Sequence, residues 1–335
     1  MLPLVLVTGA NGFLGRHLVQ ELLGRGYPVR ALLRPGQAQR GPGPLPPLAA
    51  LPIECAEGDL TQPASLHEAA AGCGYIIHAA ALAQVNPARH PAVWATNYGG
   101  TEAVLGLARR AGVRRLVYVG TAIDFAFGTR QQPGDETRSF AGPRYGLDYQ
   151  ESKLAAAALV RRAAAEDELP AVLVHPTFML GPQDAKPTSN ALLLALRRGE
   201  LPAYPAGGKN YVHVRDVAVA TVNALTQGRQ GESYILGHEN LSFREAFHLM
   251  AGVLGVAPPR WPLPPALATL YGRLCELKTR LTGRPAALNA AMVAVANDGH
   301  YFTAAKARTE LALPQTPIAQ AVADADAWFS AHGYV

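Results

Sequence analysis

Tyr149-Gln-Glu-Ser-Lys153 carries a phenol and an ammonium four residues apart. On a helix that spacing puts both side chains on one face, one turn apart. In isolation the two groups titrate at about 10 and about 10.4. An ammonium close to a phenol favours the phenolate, so the tyrosine of such a pair can exchange a proton with a substrate hydroxyl or carbonyl nearer neutral pH. The same spacing is common on ordinary helix surfaces. It gains meaning only if the chain also supplies a hydride carrier and a second hydrogen-bonding group.

The hydride carrier is signalled at the start of the chain. Leu4-Val-Leu-Val7 is a short apolar run of the kind that forms a strand buried on both faces. Thr8-Gly-Ala-Asn-Gly-Phe-Leu-Gly15 follows at once, then a helical pattern through Leu18, Leu22 and Leu23. Gly9, Gly12 and Gly15 suit a tight turn, close approach of backbone to a pyrophosphate, and close helix–strand contact. The helix N-terminus would offer the phosphates unpaired N–H groups and a positive dipole end. A glycine triplet alone is more often a turn; between a first strand and a first helix it marks a dinucleotide site. Tyr27–Arg34 reads as the second strand. It ends in Leu33-Arg34, without the acidic residue that holds the ribose hydroxyls of NAD. An arginine there suits a ribose phosphate and favours NADP(H), although a solvated strand-end arginine is the plainer reading.

The second hydrogen bond comes later. Leu116-Val-Tyr-Val119 reads as a strand delivering Gly120-Thr121-Ala122, and its carboxyl end is where ligands bind in open α/β sheets. The Thr121 hydroxyl could donate there. Between these points, Pro35–Pro52 reads as an irregular loop, Ile53–Glu57 as a third strand, Ser65–Ala71 as a short helix and Tyr75–His78 as a fourth strand. Asp59 could cap a helix or accept from an adenine amine. His78 reads as a satisfied core histidine. The small residues Ala79, Ala80 and Ala81 let backbone approach a cofactor. Trp94–Ala111 reads as a long helix in which Asn97, a poor helix former, has a polar structural or cofactor-side role. Phe125–Pro143 reads as a loop lining the site, and Val172–His175 as a sixth strand broken by Pro176. The β–α alternation then loosens into a helix at Asn190–Arg198, strands at Tyr211–Val214 and Ser233–Leu236, and helices near Ser242–Leu254, Leu263–Leu281 and Thr316–His332. Asp216 is expected to cap a helix beginning at Val217.

Composition excludes several classes. The 335 residues, 49% of them apolar, allow one large domain or two intimate lobes. The net charge of +5 is spread along the chain without a basic block, which disfavours nucleic acid. Three cysteines, Cys55, Cys73 and Cys275, lack metal-ligand spacing and fit a reduced, cytoplasmic protein. No apolar run reaches the ~18 residues of a membrane span, and no metal site is expected.

Together the segments resemble the extended short-chain dehydrogenase/reductase family over essentially the whole chain. The residues that carry the resemblance are Thr8-Gly9-x-x-Gly12-x-x-Gly15, Gly58-Asp59-Leu60, His78-Ala-Ala-Ala81, Asn97, Thr121, Tyr149-x-x-x-Lys153, Pro176–Pro182 and Tyr211-Val-His-Val-Arg-Asp216. Within the family the chain is most similar to the dihydroflavonol reductase and 3β-hydroxysteroid dehydrogenase branch. Asp184–Asn190, Leu201–Tyr204 and Tyr234–Asn240 bring it near bacterial members labelled hopanoid-associated sugar epimerases. The resemblance implies a Rossmann doubly wound parallel sheet with a smaller, mostly helical substrate lobe. Residues 1–175 would form the dinucleotide domain, with 209–237 returning to it; 176–208 and 238–335 would form the lobe. It implies that Tyr149 is the acid/base, that Lys153 holds the nicotinamide ribose and lowers the tyrosine pKa, and that Thr121 shares the substrate oxygen. It places the cofactor on Gly9, Asn11, Gly12, Phe13, Leu14, Gly15, Arg34, Asp59, Leu60, Ala79, Ala80, Ala81, Asn97, Pro176, Thr177 and Phe178 as well. The substrate pocket would be lined by Ala122, Phe125, Phe178, Met179, Asn190 and Tyr204. Family members pair the helices matching Trp94–Ala111 and Gly146–Arg162 in a homodimer.

Two departures bear on substrate. Threonine stands at 121 where serine is usual, which keeps the hydroxyl and narrows the pocket. Lys209-Asn210 replaces the Arg-Asp pair that serves the diphosphate in sugar-nucleotide enzymes. With the aromatic tone of Phe125, Phe127, Phe178 and Tyr204, this favours an NADP(H)-dependent oxidoreductase of a lipophilic ketone, aldehyde or alcohol. A sugar or sugar-nucleotide epimerase/dehydratase that retains NAD(P) is the alternative enzyme. A non-enzymatic cofactor sensor is the competing class, and the intact Tyr–Lys pair counts against it.

Overall fold

Short runs rich in Val, Ile and Leu build a central sheet covered on both faces. The computed structural model describes residues 2–140, 145–166, 169–282 and 289–335. Residues 141–143, the end of the expected site loop, lie outside these. The first part of the chain supplies β1 (Leu4–Thr8), β2 (Val29–Leu33), β3 (Glu54–Glu57), β4 (Cys73–His78), β5 (Arg115–Val119) and β6 (Ala171–Pro176). Among them run α1 (Phe13–Gly24), α2 (Pro91–Trp94), α3 (Gly100–Ala111) and α4 (Asp148–Glu166). The later part supplies β7 (Phe178–Leu180), β8 (Ala203–Tyr204), β9 (Gly208–His213), β10 (Ser233–Leu236), β11 (Glu239–Ser242), β12 (Trp261–Pro262) and β13 (Gly299–His300). Its helices are α5 (Ala191–Arg197), α6 (Val214–Asn223), α7 (Phe243–Leu254), α8 (Pro265–Thr282), α9 (Ala290–Asn297), α10 (Ala305–Glu310) and α11 (Ile318–Ala331).

Seven parallel strands stand in the order β10-β6-β5-β4-β1-β2-β3. The order reverses between β1 and β4, the crevice where open α/β sheets bind ligands. Alternate residues of each strand feed opposite cores. Val5, Val7, Val117 and Val172 pack with Leu18 of α1 and Val217 of α6. Leu6, Ile76, Leu116 and Leu173 pack with Val104 and Leu107 of α3 and Ala156, Ala157 and Val160 of α4. A third core joins Leu193 of α5, Phe247 and Met250 of α7 and Val322 and Phe329 of α11 around Tyr211. The doubly wound sheet and helical C-terminal region match the sequence reading.

Local differences have local causes. Ser65–Ala71 is not a helix; a 3-10 turn at Pro63–Leu66 stands there. The long helix expected over Trp94–Ala111 starts at Pro91 and passes through a π segment at Ala95–Gly99 before α3. Its extra residue turns Asn97 inward, where it is 1% exposed. Helix α6 starts at Val214 and not at Val217. His213 caps it, Nδ1 accepting from Arg215 N at 3.0 Å. Asp216 is instead buried and accepts from Thr316 N and Oγ1, each at 2.8 Å, tying down the approach to α11. Strand β9 extends back to Gly208 and pairs with β7, β11 and β13 in a small second sheet, while α6 packs on α1 and β10 edges the main sheet.

The first turn of α1 is set against β1 by the third glycine. A Cβ on Gly15 would overlap the Gly9 carbonyl and stand 2.8 Å from Ala10 Cα, both rigid backbone. Gly15→Ala should therefore lower stability by about 1–3 kcal/mol, read as a lower urea midpoint with an unchanged slope. A midpoint equal to wild type would show that α1 moves away at no cost.

Candidate active site

Strands β5 and β6 end side by side, with Gly120 N donating to Val174 O at 2.7 Å. Helix α4 crosses beneath those ends and brings Tyr149 and Lys153 to them. Lys153 is 3% exposed; its Nζ donates to Val119 O at 2.6 Å and lies 4.4 Å from the centre of the Tyr118 ring. Tyr149 is half-buried as a residue, and the Thr121 side chain lies close enough to its phenol to lower the pKa. Tyr149, Lys153 and Thr121 thus stand at the same strand ends.

The charge balance differs from expectation. Burial pushes the Tyr149 phenol up to about 12, with the Asp124 carboxylate adding to the rise and the neighbouring Thr121 side chain opposing it. Burial likewise pushes Lys153 down to about 8, opposed by Asp124. The ammonium is committed to the Val119 carbonyl and does not offset the phenol's desolvation.

Behind Thr121 lies a pair that sequence reasoning missed. Asp124 and His175 side chains are both 0% exposed, with Nδ1 3.1 Å from Asp124 Oδ2 and 3.2 Å from Thr121 O. Both of those partners are acceptors, so the network assigns the proton to Nδ1. His175 Nε2 meets Ser233 Oγ at 3.2 Å. Gly120 leaves room for this ring, since a Cβ there would stand 2.5 Å from His175 Nδ1. Asp124 Oδ1 has no hydrogen-bond partner among the described residues. The readable signal was a histidine at the end of an apolar strand and an aspartate three residues past Thr121; nothing in their spacing shows that they meet.

The site loop is fastened from far along the chain. Gly128 N and Gly134 N donate to Tyr301 O at 3.1 and 3.0 Å, and Phe127 stacks on His300 at 4.5 Å. Asn97 holds the facing segment: Oδ1 accepts from Leu82 N at 2.8 Å and Nδ2 donates to Ser152 Oγ at 3.1 Å.

The dinucleotide cradle fits its expected group. Gly9 has φ +72°, and a Cβ on it would stand 2.7 Å from Ala80 N and Cα, so β1 and the Ala79–Ala81 segment meet only because residue 9 lacks a side chain. Gly12 N donates to Gly9 O at 2.8 Å, and no side chain caps α1. The N–H groups of the first turn, at Phe13 and Leu14, are the type that meets phosphate. Asn11 Oδ1 accepts from Arg16 Nη2 at 3.3 Å. His78 is a core residue as read, bonded to Thr8 Oγ1 at 2.7 Å and Thr101 Oγ1 at 3.1 Å. Leu60 packs on Gly100. Arg34 is exposed just past β2. Asp59 Oδ1 accepts from Thr61 N and Oγ1, and these bonds, with Arg34 adding, hold its carboxyl below the usual range.

The expected pocket residues divide. Ala122 and Phe125 belong to a small core with Ile235 and Phe302, and Phe125 packs edge-on to His175 at 4.8 Å. Asn190 is fully buried and clamps a loop, donating to Gly181 O and Asp184 Oδ2 and accepting from Gly181 N. Thr177 Oγ1 donates to Asn210 Oδ1 at 2.9 Å. Phe178, Met179 and Tyr204 are half-buried. Phe178 lies edge-on to Tyr211, with Lys209 Nζ 5.3 Å from its ring centre.

An open parallel sheet, a glycine turn at its first strand and a Tyr–Lys pair at the strand ends define an NAD(P)-dependent enzyme acting on CH–OH groups. The profile of the NAD dependent epimerase/dehydratase family matches residues 5–237, and the chain belongs to that family. It is 34% identical to a Synechocystis protein provisionally named dihydroflavonol 4-reductase, over 98% of this chain and 95% of the other. It is 30% identical to sterol demethylase protein B of Methylococcus capsulatus, over 98% and 99% of the two chains. The crystal structure of a nucleoside-diphosphate-sugar epimerase from Pseudomonas aeruginosa superimposes with a TM-score of 0.80 at 27% identity, covering 99% of each chain.

The buried ammonium predicts a pH dependence. With the Lys153 pKa at about 8 in the fold against 10.5 unfolded, the unfolded chain holds more protons between those values, so stability rises with pH there. Above pH 10 the raised Tyr149 phenol acts oppositely, since the fold then keeps the proton longer. From pH 8 to 10, wild type should gain roughly 1–2 kcal/mol relative to Lys153→Met, measured by urea unfolding. Parallel curves for the two proteins would place the ammonium in water.

Proposed function

We propose that this protein is an NADP(H)-dependent oxidoreductase interconverting a lipophilic ketone or aldehyde and its alcohol. The observation that carries the reading is the convergence of Tyr149, the buried Lys153 and Thr121 on the ends of β5 and β6. When bound, the nicotinamide supplies hydride to the carbonyl carbon, or takes it from the alcohol. Tyr149 donates its phenolic proton to the substrate oxygen in reduction and recovers it in oxidation, while Thr121 shares that oxygen. Lys153 would hold the nicotinamide ribose and, once drawn off Val119, would supply positive charge that eases the phenol's ionisation. Phe178, Met179 and Tyr204 exclude water on the substrate side. Residues 176–208 and 238–335 form the substrate lobe.

Two relatives whose names concern a dihydroflavonol and a sterol support a lipophilic substrate. The residues standing in for the sugar-nucleotide Arg-Asp pair support it further. Asn210 spends its side chain inside the protein, on Thr177, Asn240 and Phe302, and Lys209 lies over an aromatic ring. The likeness to a nucleoside-diphosphate-sugar epimerase favours the second reading, with retained cofactor. Homodimer formation would use α3 and α4, where Leu105, Arg109, Leu159 and Arg162 line a shallow groove. Of the four alanines at 155–158, Ala156 and Ala157 serve the chain's own core and only Ala158 is exposed.

Tyr149→Phe should lower turnover of an added lipophilic carbonyl by roughly 100-fold or more with NADPH affinity retained. Near-normal turnover would remove Tyr149 from the proton transfer. Cofactor that stays bound through purification, with no net turnover of added carbonyls, would support the epimerase instead.

Arg34 is the expected selector of NADPH. Its planar fork can pair with phosphate oxygens at the rim that it shares with Asp59. A charge-assisted contact of about 1.5–3 kcal/mol corresponds to a tenfold to hundredfold preference over NADH. Titration of wild type and Arg34→Ala with both cofactors should show that preference collapse through weaker NADPH binding; an unchanged ratio would exonerate the residue.

A further inference from the structure

Helix α8 turns its large apolar residues to solvent. Its buried positions are the small ones, Ala268, Gly272 and Cys275, and they face α9: a Cβ on Gly272 would lie 3.0 Å from Ala290 Cα. At about 100° per residue, Leu267, Leu270, Tyr271, Leu274, Leu277 and Leu281 fall within an arc of roughly 120° directed away from that contact. Each is at least 52% exposed, and Trp261, four residues before the helix, is 70% exposed. Single exposed leucines are ordinary, but five leucines and a tyrosine on one stripe, with a tryptophan just before the helix, form a contiguous apolar face.

The exposed charged side chains described on α8, and the one next to Trp261, are basic. Arg260, Arg273 and Lys278 are exposed. The one carboxylate of the helix, Glu276, is turned to the protein, where Oε1 accepts from Ala290 N at 3.0 Å. Lys278 falls inside the apolar arc, where its stem can lie along apolar surface with the ammonium at its edge. No described helix is long and apolar enough to cross a membrane. A second copy of the chain is a poor occupant, because a two-fold contact would set the Arg273 and Lys278 charges of both copies against each other.

We propose that α8, with Trp261, docks this protein on an anionic lipid bilayer, its leucines in the acyl boundary and its basic residues at the headgroups. The contact would lie next to the strand that holds Tyr204, since β12, which holds Trp261, pairs with β8. It does not depend on the reductase reading.

The test is flotation of the full chain with vesicles of phosphatidylcholine alone or with about one third phosphatidylglycerol. Wild type should bind the anionic vesicles at least tenfold more tightly, and less so as salt rises. Leu270→Glu/Leu274→Glu should lose at least tenfold in affinity with an unchanged thermal midpoint, because both positions are exposed. Arg273→Glu/Lys278→Glu should lose roughly fivefold or more for each charge. Wild type failing to float with anionic vesicles, or the leucine variant binding as tightly as wild type, would overturn the proposal. So would light scattering in which the leucine variant dissociates an oligomer, which would assign the face to a second copy of this chain.

Discussion

A positive charge enclosed between β5 and α4 sets the terms for the rest of this site. Among the described residues, Lys153 Nζ has one hydrogen bond, to the Val119 carbonyl, and the face of the Tyr118 ring. An ammonium so enclosed is costly without negative charge nearby. Asp124 supplies that charge and is itself out of water, where its Oδ2 accepts a hydrogen bond from His175 Nδ1. His175 in turn reaches Ser233 on the edge strand of the sheet. Three strand ends and one helix are therefore committed to one electrostatic arrangement. Any shift of β6 relative to β5 would break the His175–Asp124 contact and leave two buried charges less well matched.

That arrangement also explains why the protein alone does not activate the tyrosine. The phenol is desolvated, the nearby carboxylate opposes its ionisation, and the ammonium is turned to a backbone oxygen. Lowering of the phenol's pKa then depends on what draws Nζ off Val119. With its pKa held up in this way, the phenol of the protein alone keeps its proton.

Much of this was legible in the sequence where backbone requirements restrict residue choice. Gly9 and Gly15 occupy positions where a Cβ would meet backbone, so their spacing announced the turn. The strands were legible because burial on both faces demands unbroken apolar runs. The Tyr149–Lys153 pair was legible because helical spacing is local. What was not legible depended on distant partners. Asp216 read as a cap because its partner, Thr316, is remote in sequence. Asn190 and Phe125 read as pocket residues because polarity and aromaticity do not reveal which way a side chain points. The π turn at Asn97 is selected by Leu82 and Ser152, from two other segments.

The clasp of Tyr301 and His300 on the 125–140 loop has a consequence for biogenesis. A chain leaving the ribosome exposes the strands β1 to β6 early, and amino-terminal units generally fold first. The segment that fastens the site loop emerges only after α9, and the edge strand that meets His175 comes after an intervening excursion through β7–β9. The loop after Thr121 is thus fastened by a segment made long after the strands that carry Thr121 and His175, so its final position is set late in synthesis.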